Sequence, residues 1–175
     1  MKKILVMASV VTVAVMLVFS FSGCASIAQK AVEKAIENAA NKEGESVDVN
    51  LEKGEVNIQD KEGNEINIGS TKIPDNWPSS VTVNDNIKIQ LSGSSKSDNK
   101  NTWTISGTFN GKAEDLYNWY KDKLSGWTVD YDSVTNSDQG NSYTAGFSND
   151  QYTVTLIITD SKDAGVSVVL GVAEK

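Results

Sequence analysis

"NGKAEDLYNWYKDKLSGWTVDYDSV", residues 110–134, holds the clearest helix pattern in the chain and the change of period that follows it. Ala113, Leu116, Tyr117, Tyr120 and Leu124 recur at i, i+3, i+4, i+7 and i+11, which is one face of an α-helix. Trp119 falls at the edge of that arc, with Asn118 and Asp122 opposite. Gly126 is the expected end of the helix. After it the period drops to two. Trp127, Val129 and Tyr131 alternate with Thr128, Asp130 and Asp132, so a strand is expected with its rings inward and its aspartates toward water.

Strand patterns flank this centre on both sides. Upstream, "IKIQLS" points Ile87, Ile89 and Leu91 inward, and "NTWTISGTF" alternates Trp103, Ile105, Gly107 and Phe109 against threonine and serine. Downstream, "SYTAGFS", "QYTVTLIIT" and "GVSVVLGVA" repeat the alternation. The polar stretches "SGSSKSDNKN", "TNSDQGN" and "DSKDAG" read as loops. The fold class expected for residues 81–175 is α+β. It is a two-layer domain in which one helix packs on an antiparallel sheet, in the order β-β-α-β-β-β-β.

The segment "LYNWYKDKLSGWTVD" resembles a segment of small bacterial lipoproteins of uncharacterised function. In those proteins a β-β-α-β-β-β domain follows a proline-containing linker. The resemblance covers about residues 73–173 and implies a fold rather than an active site.

Residues 70–80 contain both prolines, Pro74 and Pro78, without periodicity, and are expected to be a linker. Ahead of them, "VNL", "VNI" and "INI" repeat an apolar-Asn-apolar core within residues 46–69. Val47, Val49, Leu51, Val56, Ile58, Ile66 and Ile68 then share one face of a three-stranded meander. Such a face needs a cover. The turn "DKEGNE" lacks the spacing of a calcium loop and reads as a charged hairpin turn. Residues 24–45 begin with an Ala-rich amphipathic pattern, a membrane-proximal helix ending near Gly44.

The first 23 residues are a basic "MKK" followed by a long uncharged run, the layout of a secretory signal. It ends at Phe21-Ser22-Gly23-Cys24, and Cys24 is the one cysteine of the chain. This tetrapeptide resembles the lipobox of bacterial lipoproteins, with Phe21 in place of the usual leucine. The resemblance implies that the Cys24 thiol receives a diacylglycerol and that the signal is cut before it. Residues 25–175 would then lie on the extracytoplasmic face of the cell membrane. Ala25, which is not aspartate, implies transfer to the outer membrane in a cell that has two.

Composition narrows the chemistry. All 16 basic residues are lysine, against 23 acids, for a net charge of −7, or −9 once residues 1–23 are removed. An acidic chain without arginine lacks the footprint of nucleic-acid binding. There is no histidine, so imidazole bases and imidazole metal sites are excluded. One cysteine makes neither an internal disulfide nor a thiolate cage. No cofactor, metal or catalytic residue is expected. Trp77, between the prolines, and Trp119, at the helix edge, are the candidate contact residues.

The expected function is a non-catalytic binding or scaffold module of the bacterial cell envelope. Its partners are the membrane, through the lipid, and an envelope protein or polymer. The alternatives are an envelope hydrolase working through carboxylates and a lipoprotein that assembles through the bare face of its meander.

Overall fold

The computed structural model describes residues 46–50, 54–61 and 63–175. The signal sequence, the lipobox, the membrane-proximal helix and Leu51 lie outside the described residues. The chain divides into two compact units, one ending at Gly69 and the other running from Ser70 to Lys175. The architecture is α+β, with mostly antiparallel sheet and one helix among the described residues.

In the first unit, β1 (Ser46–Asn50), β2 (Glu55–Gln59) and β3 (Glu65–Ser70) form the antiparallel meander. Val47 pairs with Ile58 and Val49 with Val56, and the latter strand continues the face to Ile66 and Ile68. Val47, Val49, Val56 and Ile58 are each at most 5% exposed. These are the apolar positions expected to share one face. At the turn, both carboxylate oxygens of Asp60 accept hydrogen bonds from Asn64, at 2.9 Å from its backbone N and 2.7 Å from its amide. This is the self-bonding that Asp brings to a hairpin turn.

The second unit holds β4 (Ile87–Ser97), β5 (Lys100–Phe109), α1 (Ala113–Lys123), β6 (Thr128–Ser137), β7 (Gly140–Ser148), β8 (Tyr152–Ser161) and β9 (Gly165–Glu174). The strands lie in the order β4-β5-β9-β8-β7-β6, all antiparallel. The last four strands are a meander that returns to pair with β5. The helix bridges from β5 to the far edge.

Burial follows the periodicities. Leu116, Tyr117, Tyr120 and Leu124 of the helical arc belong to one buried cluster with Trp103, Ala145, Phe147, Val154, Leu156 and Ile158. Glu114 and Asp115 in the first turn of α1, and Lys121 and Lys123 in the last, complement its dipole. The helix closes at Leu124, whose N–H donates to Tyr120 O at 2.9 Å, and Trp127 N donates to Leu124 O at 2.9 Å. Gly126 is thus not the residue that ends it.

Three expectations are corrected. First, "SGSSKSDNKN" and "TNSDQGN" are mostly strand. β4 and β5 continue to a two-residue turn at Asp98-Asn99, both at positive φ (53° and 61°), which matches the twist of a hairpin. Serine, lysine and asparagine carry no apolar mark, so periodicity does not reveal such strand ends.

Second, Leu91 points away from the core. A β-bulge between Ile89 and Leu91 shifts the register, so that Ser92 faces Ile105 and is 2% exposed while Leu91 is 37% exposed. The Ser92 hydroxyl lies 2.6 Å from Lys72 O and 3.0 Å from Ser70 O, which satisfies it in the core. Opposite the bulge, any side chain at Gly107 would overlap the Lys88 carbonyl.

Third, residues 70–80 are not a free linker. Trp77 packs on the core cluster and donates its indole N–H to Val81 O at 2.6 Å, Pro78 is buried, and Val81 is 1% exposed.

Tyr120 is 1% exposed and its hydroxyl has no hydrogen-bond partner. Burial pushes its pKa up to about 12, and the Asn84 backbone nearby opposes this only weakly without making a bond of normal geometry. The folded chain therefore keeps the phenol protonated at a pH where the unfolded chain has ionised it. Stability from this source is complete below pH ~10 and is lost progressively between pH ~10 and ~12, by about 3 kcal/mol in all. Thermal melts of Tyr120→Phe should match or exceed the parent at pH 7 and should lose this part of the alkaline decline. An identical decline in both chains would contradict the assignment.

Candidate functional site

β6 is the outer strand of the second unit, and all ten of its residues are exposed. Its alternation is broken: Val129 pairs with Phe147, a core position, as expected, and the residues after it are reversed. Asp132 pairs with Ala145, a core position, whereas Tyr131 pairs with Gly146 on the opposite face. A bulge between Val129 and Tyr131 sets this register. Val129 is 52% exposed, Tyr131 45% and Val134 47%. The strand lies at the rim, where rings gain little by turning inward, and the helix presents polar groups to it.

Those groups form a small network. Asp132 accepts hydrogen bonds from the Tyr117 hydroxyl at Oδ1 and from Lys121 Nζ at Oδ2, the latter at 2.7 Å. Lys121 Nζ also lies 5.1 Å from the Tyr117 ring centre, and that ring packs at 5.2 Å on Tyr143. Asp130 accepts from the buried Ser148 hydroxyl at 2.9 Å. Each carboxylate is thus engaged by neighbours. Asp132 ties the rim strand to the helix, against the expectation that it faces water, whereas Asp130 is held by Ser148 of β7. Period-two alternation carries no sign of a bulge, so the turn of Asp132 toward the helix is not legible in it.

Trp119 is half-buried against the core cluster. Its ring stands edge-on to Tyr120 at 4.8 Å, and Lys123 Nζ sits 5.5 Å from its centre. Trp77 is likewise half-buried, its indole N–H committed to Val81. Both rings therefore fill the periphery of the core and leave part of their surface outside it. Cys24 lies outside the described residues. Among the described residues no group of three or more Asp, Glu, His or Cys is placed to hold a metal ion, and no helix is long and apolar enough to cross a membrane.

Comparison with protein-family models, curated proteins and solved structures gives no match.

The network separates two kinds of contact. Lys121 and Asp132 are partly exposed, at 40% and 32%, so their ion pair adds at most about 1 kcal/mol. Removing the carboxylate also strips the buried Tyr117 hydroxyl of its acceptor, which costs about 1–3 kcal/mol. Chemical denaturation should therefore show Asp132→Ala clearly destabilised and Lys121→Ala within about 0.5 kcal/mol of the parent. Equal losses in the two variants would contradict this division.

Proposed function

We propose that the chain is a surface lipoprotein of the bacterial cell envelope, anchored through acyl chains on Cys24, and that its exported part is a non-catalytic binding or scaffold module. The observation that carries this reading is the order of its first residues. A basic start and a long uncharged run end at Phe21-Ser22-Gly23-Cys24, with polar sequence immediately after. A thiol at the membrane interface is open to alkylation by a lipid-borne glyceride. Burial of acyl chains contributes about 0.8 kcal/mol per methylene, and a pair of chains holds where one would exchange.

The absence of histidine and arginine from the sequence favours binding over catalysis. So does the engagement of Asp130 and Asp132 by structural neighbours. A two-layer arrangement, with the helix over one side of the sheet, is the finer reading of the exported domain. Trp119 and Trp77 remain its candidate contact rings.

Expression with labelled palmitate should place the label on the parent chain and not on Cys24→Ser. Mass measurement of the membrane-extracted parent should give a chain starting at residue 24 with added acyl mass. An extracted chain that retains Met1 and carries no acyl group would refute the anchor.

A further inference from the structure

The second unit has two sheet faces, and the helix lies against one of them. Cross-strand pairing defines the other. Its central row runs Leu91, Ser106, Val169, Ile157, Thr144 and Ser133 from β4 to β6. Leu91, Ile157 and Val169 are each 37% exposed. In the next row Tyr131 lies flat across Gly146, where any side chain would overlap its ring, and its hydroxyl reaches Thr155 at 3.4 Å.

The remaining paired positions on this face are threonine, serine, glycine and alanine, with Lys88 and Lys100, at opposite ends of it, as the charged side chains. Asp130, at the β6 bulge and bonded to Ser148, is at its margin. In a chain with 23 acids and 16 lysines, a face over six strands whose charged side chains are two lysines at its ends is a distinct surface. Protein surfaces ordinarily carry lysine and acidic residues interspersed, which keeps them soluble.

We infer that this face is where two copies of the chain pack together, sheet against sheet about a two-fold axis near Val169 and Ile157. Three observations converge on a second copy as the occupant. Two acidic chains repel one another through charged surfaces, and this face is nearly free of charge. An anion or a basic peptide would find almost nothing here to pair with. A regular sheet face is complementary to itself, and aligned packing of two such faces is a standard solution for β-structure. The area also suffices. Six strands about 4.8 Å apart, over about eight residues of about 3.3 Å, give roughly 750 Å² per copy and roughly 1,500 Å² for the pair. That lies within the roughly 1,200–2,000 Å² typical of specific interfaces. The axis places the pair Val169 and Ile157, cross-strand neighbours on β9 and β8, against its own image.

Stacked sheets lie about 10 Å apart, too far for a disulfide but within reach of a short bis-maleimide. The test uses the full chain in membranes of the expressing cell. Ile157→Cys should give a cross-linked species of twice the chain mass. The parent, whose thiol is Cys24, and Asn118→Cys, on the exposed side of α1, should not. Adding Val169→Lys to Ile157→Cys should reduce the cross-link at least tenfold. Thr155→Lys, at a polar exposed position, repeats the test should Val169→Lys disturb folding. Sedimentation of the detergent-extracted chain should give twice the monomer mass, falling to one in either lysine variant.

A single-chain mass throughout would overturn the inference, as would equal cross-linking at Asn118→Cys or persistence of the dimer in both lysine variants. So would protection of Ile157→Cys from labelling only when envelope polysaccharide is added, which would assign the face to a glycan. Pairing does not depend on the anchor. Loss of acylation in Cys24→Ser with the dimer retained would count against the lipoprotein reading alone.

Discussion

The second unit depends on one geometric constraint. A helix about 10 Å across is as wide as two or so strands spaced about 4.8 Å apart, and the second unit contributes six strands. The helix lies nearest β7 and β8. There its buried arc shares a cluster with Phe147, Leu156 and Ile158. Beyond that reach the fold must find other means. Trp77, Val81 and Val83 from the segment after Ser70 close on the cluster. On the β6 side the helix offers a tyrosine hydroxyl and an ammonium, and the strand answers with Asp132.

The same constraint explains the rim. A strand beyond the helix has no apolar cover, so Val129 and Val134 stay exposed. The β6 bulge and the inward Asp132 are also devices that make an edge poor at pairing with another chain. The strand most open to edge-to-edge association is thus blunted. The flat face behind it is not, and the sparsely charged rows there differ in kind from the rim.

Much of this was legible in the residues. The spacing of Leu116, Tyr117, Tyr120 and Leu124, and the alternation in residues 101–109 and 143–172, mark apolar positions that are buried in the structure. Periodicity works there because each element has one apolar and one polar side. It was silent in the serine-rich ends of β4 and β5, where neither side is apolar. At Leu91 it misled, because a single inserted residue reverses every position after it. Trp119 and Trp77 are both half-buried at the edge of the cluster. The sparsely charged face was missed, since no residue in it is unusual by itself and only pairing brings the rows together.

The sequence by itself determined the helix, the period-two strands, the uncharged run ending at Cys24, and the absence of imidazole and guanidinium chemistry. These follow from residue types and their spacing along the chain, which are local quantities. Only the tertiary structure decided which face of β6 meets the helix, that the proline-rich segment joins the core, and that threonines from distant strands align into a face with few charges. Those outcomes depend on bulges, on strand order and on how far one helix reaches across a sheet, and such relations arise only between residues remote in sequence.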